Sequence, residues 1–173
     1  MNKKFVACFF VGFALLGLTF YRWHPYRQGA SIHWADAVSQ DTIVDSWHTW
    51  KTNFSDRNPA VTRDDFMHAV ENGEYVVLTI DKFLGLKVEN QRLDRYRHAT
   101  TAQEAYPIAD RPRHQDDIKS VNFFLQTTSP VSPILVARVH EHGGIRYIKL
   151  DGVHRLIAAA IKKSPIKVLF VDL

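Results

Sequence analysis

The stretch "KLDGVHRLIAAA" (Lys149–Ala160) places an acid, a glycine, a histidine and an arginine directly before a run of small apolar residues. The segment before it, "IRYIKL" (Ile145–Leu150), has the β-branched and aromatic residues of a strand. The segment after it favours a helix that ends at a Ser-Pro pair. We therefore predict a strand, a sharp turn at Gly152 and a helix over roughly Val153–Lys163.

The neighbouring segments extend this pattern into a small sheet. A strand over Ile134–Val139, a turn at "HEHGG" (His140–Gly144) and the return strand predict a hairpin, and "IKVLFVDL" predicts a last strand over Ile166–Val171. The remaining expected elements are an amphipathic helix within Trp34–Phe54, a helix from Thr62 to Asn72, a strand over Tyr75–Ile80, an irregular segment from Asp81 to Pro112 and a helix over His114–Gln126. The expected fold class is α+β, with a small mixed sheet and helices.

The amino-terminal end predicts a membrane anchor. Phe5–Phe20 has sixteen residues without a charge, and Tyr21 and Trp23 follow it as an aromatic belt. We expect an uncleaved single-pass helix, with a cleaved signal peptide as the alternative. Basic residues on both sides leave its orientation open. The expected organisation is an anchor and linker (1–27), a helical extension (28–73) and a domain (74–173) at a membrane.

The charge distribution argues against a nucleic-acid partner. The chain has 22 basic and 18 acidic residues, but four of the basic residues precede Gln28 and every acidic residue follows it. Residues 28–173 therefore carry 18 of each sign and offer no electrostatic footprint for a phosphate backbone, so we expect no DNA binding. The only cysteine, Cys8, lies in the predicted anchor. The rest of the chain thus has no disulfide, thiol nucleophile or cysteine-bound metal.

The polar residues of the hinge predict an anion cradle. A helix start leaves backbone N–H groups unpaired and carries a partial positive charge. Gly152 lets a ligand approach the backbone, and His154 and Arg155 add donors suited to phosphate or carboxylate. Asp151 is interpreted as a metal ligand, as a base for an incoming hydroxyl, or as the helix cap.

A purely structural hinge is the alternative from spacing alone. In that interpretation Asp151 or Gly152 caps the helix, and Arg155 pairs with Glu141 or Asp172.

The segment from Ile118 to Leu173 resembles the ParB/sulfiredoxin-like superfamily. The shared features are a helix, a strand led by proline, a glycine turn, a strand ending in Asp-Gly or a similar pair, a small-residue helix and a last apolar strand. "YVVLTIDKFLGLKVEN" (Tyr75–Asn90) is similar to the opening strand and loop of that family. The resemblance covers about residues 75–173 and implies a ParB/sulfiredoxin-like fold with a nucleotide at the hinge.

Branches of this superfamily imply different roles for the hinge. Sulfiredoxins have Gly-Cys-His-Arg there. Val153 replaces the cysteine, so the resemblance implies that His154 and Arg155 bind phosphate without reductase activity. Partition proteins bind CTP at a Gly-Glu-Arg-Arg hinge and continue into a DNA-binding domain, which we do not expect after Leu173.

The hinge of free-serine kinases, Asp-Gly-His-x-Arg, is the most similar one. Asp151 and Gly152 match it, whereas the registration of His154 and Arg155 is shifted. This resemblance implies ATP or another nucleotide with Mg²⁺, with Asp151 as a catalytic acid that contacts the metal and Glu89 as a second acid.

The leading hypothesis is a membrane-anchored domain that binds a nucleotide or another phosphorylated ligand, and its finer form is an ATP-dependent phosphotransferase. The alternative is a non-catalytic, membrane-tethered module that binds a protein partner whose identity the sequence does not indicate.

Overall fold

The computed structural model of the chain describes residues 31–89, 96–106 and 112–173. They form an α+β fold around a four-stranded mixed sheet. In chain order the elements are α1 (Gln40–Asn53), α2 (Arg63–Glu71), β1 (Glu74–Leu78), α3 (Ile80–Gly85), α4 (Ala102–Ala105), α5 (Pro112–Gln126), β2 (Ile134–Glu141), β3 (Gly144–Asp151), α6 (Val153–Lys162) and β4 (Ile166–Asp172). The predicted α+β class with a mixed sheet is thus observed.

The strand order in the sheet is β1–β4–β2–β3. Strand β4 pairs antiparallel with β1 and parallel with β2, and β2 and β3 form the predicted antiparallel hairpin. The turn between them is shorter than expected, because β2 continues to Glu141 and β3 begins at Gly144. The hinge therefore follows a strand at one edge of the sheet.

Helices cover both faces of the sheet. On one face, Leu156 and Ile157 of α6 are buried in a cluster that includes Val136 of β2. On the other face, Trp50 of α1 and Phe66 of α2 are buried against residues such as Leu135, Ile148 and Leu169. The helices of the predicted extension thus share a hydrophobic core with the strands of residues 74–173.

The start of α2 is confirmed in detail. The hydroxyl of Thr62 accepts a hydrogen bond from the Asp65 N–H at 3.2 Å, and the Asp65 carboxylate accepts one from the Thr62 N–H at 2.9 Å. This reciprocal capping box satisfies two N–H groups that the helix itself cannot. The helix ends at Asn72, as predicted.

Two helices were not predicted. The segment expected to be irregular from Asp81 onward contains most of α3 and all of α4. Strand β1 stops at Leu78 because the hydroxyl of Thr79 accepts a hydrogen bond from the Lys82 N–H at 3.3 Å and caps α3. Similarly, the hydroxyl of Thr101 caps α4 by accepting from the Glu104 N–H at 3.2 Å. These caps replace the continued strand and the loop.

The prediction of a membrane-spanning helix, and of a membrane location, is corrected by the structure. Among the described residues, no helix is both long enough and apolar enough to cross a bilayer. The segment predicted to do so, Phe5–Phe20, lies outside the described residues.

Candidate functional site

The hinge is built by the end of β3, a left-handed glycine and the start of α6. Strand β3 pairs with β2 as far as Asp151, with a register shift next to Leu135. Gly152 has φ +97° and forms the N-cap of α6 without a side-chain cap hydrogen bond. A Cβ there would lie 3.1 Å from Cγ1 of Ile134, in a backbone conformation that strains any other residue. The local chemistry thus requires glycine, as predicted.

Arg155 is more deeply buried than the other ionisable residues predicted for the site, with only 7% of its surface exposed. Its guanidinium forms a salt bridge with the Asp151 carboxylate and donates hydrogen bonds to the Ser132 carbonyl at 2.9 Å and to the Thr42 hydroxyl at 3.2 Å. A Cβ at Gly152 would approach its Nη2 to 3.3 Å. Arg155 therefore joins the hinge to α1 and to the segment before β2, and the missing side chain at position 152 makes room for it.

The acidic partners expected in the structural alternative are engaged elsewhere. The Glu141 carboxylate lies 2.9 Å from Nη2 of Arg146, and the Asp172 carboxylate lies 2.7 Å from Nη2 of Arg138. The predicted pairing of Arg155 with either acid is thus wrong, because its partner is Asp151, four residues before it on the same hinge.

His154 is the more accessible of the two predicted phosphate ligands. Its side chain is 29% exposed, against 8% for Arg155. Its Nε2 lies 2.9 Å from Oδ1 of Asp117 on α5, which fixes the orientation of the ring. A ligand approaching the first turn of α6 from outside would therefore meet His154 before Arg155.

Lys149 was not predicted as part of the site. It lies on β3 two residues before Asp151 and is only 6% exposed. Burial lowers its pKa, the positive charge of Arg155 acts in the same direction, and the Asp151 carboxylate opposes both. Because the charges of Asp151 and Arg155 both affect this pKa, the ammonium group of Lys149 interacts electrostatically with the hinge. No local pattern in the sequence indicates this, because the register shift next to Leu135 interrupts the alternation of side chains between Lys149 and Asp151.

Glu89 lies beside β3, apart from the hinge. Its backbone N–H donates to the Tyr147 carbonyl at 2.7 Å, next to a bridge with Ile148. Its carboxylate lies 3.2 Å from a guanidinium nitrogen of Arg146 and 3.8 Å from one of Arg57. Ile148 is three residues from Asp151, or about 10 Å along a strand. The structure thus brings four predicted residues together and places Glu89 beside β3, next to Ile148.

The described residues do not form a metal site by themselves. They contain no group of three or more His, Cys, Asp or Glu side chains arranged to hold a metal ion. Asp151 is the one predicted ligand, and its carboxylate is bound by Arg155. Near the end of β2, Nε2 of His140 lies 3.2 Å from the Asp172 carboxylate.

Comparison of the chain with protein-family models, with curated proteins and with solved structures found no match. The resemblance to the ParB/sulfiredoxin-like superfamily therefore stays a prediction that rests on the residues quoted for it.

Proposed function

We propose that residues 74–173 are a ParB/sulfiredoxin-like domain that binds a phosphate-bearing ligand, in the leading case a nucleotide, at the start of α6. The observation that carries the proposal is the uncapped left-handed Gly152. Gly152 has no side chain that could cap the helix, and no side-chain cap hydrogen bond is formed there, so the cap residue leaves the first N–H groups of α6 without a side-chain acceptor. Such N–H groups, together with the helix dipole, favour a phosphate.

His154 is the side chain that would contact the ligand. It belongs to the first turn of α6, and Asp117 fixes its ring at 2.9 Å. A ring nitrogen of the imidazole can donate a hydrogen bond to a phosphate oxygen, and the negative charge of the phosphate strengthens such a bond. The absence of a side chain at Gly152 would let the phosphate reach the backbone beside this ring.

Arg155 and Lys149 support the anion site electrostatically from within the protein. Both are buried, and a charge acts more strongly in a medium of low dielectric constant than in water. Asp151 offsets part of this positive potential and holds Arg155 in place through their salt bridge. In this proposal Arg155 shapes the cradle and does not contact the ligand, which differs from the role that the resemblance implies.

Binding without catalysis fits the geometry better than phosphoryl transfer. A catalytic base needs a carboxylate that is free to accept the proton of the acceptor hydroxyl. Asp151 is instead bound by a buried arginine, and Glu89 lies between Arg146 and Arg57. We therefore place ligand binding first, with the phosphotransferase as the candidate that measurable ATP turnover would support.

The test is titration calorimetry of the purified full chain with ATP and with pyrophosphate. We expect His154→Gln to weaken binding about ten- to a hundredfold, because it removes a charge-assisted hydrogen bond. The matched control is His140→Gln, which also removes a histidine paired with an aspartate, but in the hairpin. This control should bind like the wild type. A wild type that binds neither ligand, or two variants that weaken binding equally, would rule out the hinge as the site.

A further inference from the structure

The two edge strands of the sheet differ in whether another segment pairs with their outer backbone groups. The outer edge of β3 is joined by Glu89, whose N–H donates to the Tyr147 carbonyl at 2.7 Å and whose carbonyl accepts from the Lys149 N–H at 3.3 Å. Strand β1 forms the opposite edge. Within residues 31–89, 96–106 and 112–173, no strand, bridge or backbone hydrogen bond joins the outer side of β1.

Two of the three exposed residues of β1 have large apolar or aromatic side chains. Val77 is 64% exposed and Tyr75 is 40% exposed, and the two lie on the same face because they are two residues apart. The one charged residue of the strand, Glu74, is held by Arg138 at 3.0 Å. Proteins usually protect an edge strand with free charges, proline or a covering segment. In the described chain, the outer backbone edge of β1 has no proline and no paired segment. The side chain of Tyr75 is held from within the chain, because its hydroxyl accepts a hydrogen bond from the Val38 N–H at 3.0 Å and Nζ of Lys167 lies 5.4 Å from its ring centroid.

We propose that β1 is a self-association edge, which pairs antiparallel with β1 of a second copy of this chain. A two-fold axis through Val76 keeps all five residues of the strand paired. Tyr75 then lies opposite the partner's Val77, on both sides of the axis. The two sheets would form one continuous sheet across the dimer.

Self-complementarity is the reason for choosing a second copy over another extended chain. The register forms two pairs of an aromatic with a β-branched residue, a combination that stabilises antiparallel strands. It places Glu74 opposite an uncharged residue, the partner's Leu78, so no like charges face each other across the axis. Two-fold dimers are also the commonest symmetric assemblies.

The size of the edge sets the expected affinity. Five paired residues bury less than the roughly 1,200 Å² that stable complexes bury at their lower limit, so we expect a weak dimer with a Kd of about 1–100 µM.

Disulfide trapping of the full chain tests the register. In a Cys8→Ser background, Val76→Cys places one thiol on the axis, opposite its own copy. Paired Cα atoms in an antiparallel ladder lie about 4.5–5.5 Å apart, within the range that a disulfide spans. Mild oxidation should give a covalent dimer. The matched control is Ile145→Cys, an exposed apolar position (47%) on the opposite edge strand. The absence of a Val76→Cys dimer, or equal cross-linking of both variants, would overturn the proposal.

Sedimentation velocity over a concentration series tests the association without cysteines. We expect a reversible dimer of the wild type that Val77→Lys weakens at least tenfold, because each lysine would need to be desolvated against the partner's Tyr75. Ile145→Lys is the matched control and should dimerise like the wild type. Both positions are exposed, so both variants should keep the fold. A wild type that stays monomeric to about 300 µM, or a loss of dimer in both variants, would contradict the proposal.

Discussion

At the scale of single residues, the salt bridge between Arg155 and Asp151 decides how variants of the hinge behave. Arg155→Ala would leave Asp151 without its buried partner and would also remove the donors to Ser132 and Thr42. We expect it to lower the free energy of unfolding by about 3 kcal/mol, the cost of breaking a buried ion pair from one side. Chemical denaturation of the full chain measures this.

The matched control is Arg146→Ala. Arg146 pairs with two carboxylates, but its side chain is 33% exposed, so its loss should cost less than about 1 kcal/mol. Equal losses in the two variants would show that burial does not set the cost. A large loss for Arg155→Ala also means that this variant does not test ligand binding cleanly, which is why the binding test uses His154.

The sequence indicated the members of the hinge but not their partners. Asp151, Gly152, His154 and Arg155 are adjacent in the chain, so a strand–turn–helix pattern brings them together without tertiary information. The partners Asp117, Thr42 and Ser132 lie 37, 113 and 23 residues away from them in the sequence. No local pattern reports such contacts, so the partners of Arg155 outside the hinge could not be predicted.

At the scale of elements, α1 carries two buried polar atoms without a hydrogen-bond partner among the described residues. Neither Oγ of Ser46 nor Nε1 of Trp50 has a hydrogen-bond partner in the described part of the chain. We expect Ser46→Ala to raise the free energy of unfolding by about 0.5–1 kcal/mol, because it removes a buried unpaired hydroxyl and alanine is the better helix former. Thermal and chemical denaturation measure the change.

Thr42→Ala is the control for this prediction. Thr42 lies one turn before Ser46 on the same buried face, but its hydroxyl accepts a hydrogen bond from Arg155 at 3.2 Å. The same kind of truncation should therefore destabilise the protein here, by about 1 kcal/mol. A loss of stability in both variants would mean that Ser46 is satisfied after all.

The elements predicted most accurately have both a clear hydrophobic pattern and a clear boundary residue at each end. The hairpin strands, α6 and β4 have apolar runs bounded by glycine, proline or a cap, and their observed ends lie within two residues of the predicted ones. Helices α3 and α4 are too short for a periodic pattern. The "TAQE" sequence (Thr101–Glu104) is nevertheless a capping-box signature, and it would have indicated α4.

At the scale of the whole molecule, the sheet order depends on contacts that no segment encodes alone. Strand β4 is the last in the chain but lies between β1 and β2. Its residues from Val168 to Val171 are all buried, because helices cover both faces. A continuous apolar run predicts such a strand but not its neighbours. The packing of α1 and α2 on the sheet could not be predicted either, because it joins segments that are far apart in the sequence.

The distribution of charge over the molecule predicts that it does not bind duplex DNA. Residues 28–173 carry 18 basic and 18 acidic residues. Several of the arginines are already paired with carboxylates, as Arg138 is with Asp172 and Arg155 with Asp151. Neutralising a phosphate backbone requires a surface of unpaired cations, and the number of phosphates neutralised sets the salt dependence of binding. To contribute to such a surface, these arginines would have to break their ion pairs with the carboxylates.

We therefore expect no change in the fluorescence anisotropy of a labelled DNA duplex with up to about 100 µM full chain at about 0.15 M salt. The same titration with labelled ATP separates this prediction from the anion cradle, because the cradle is proposed at a single helix start, whereas a DNA duplex needs an extended cationic surface. Binding of ATP without binding of DNA would fit both arguments. Tight DNA binding that weakens steeply with salt would instead show a cationic surface that the charge balance does not reveal.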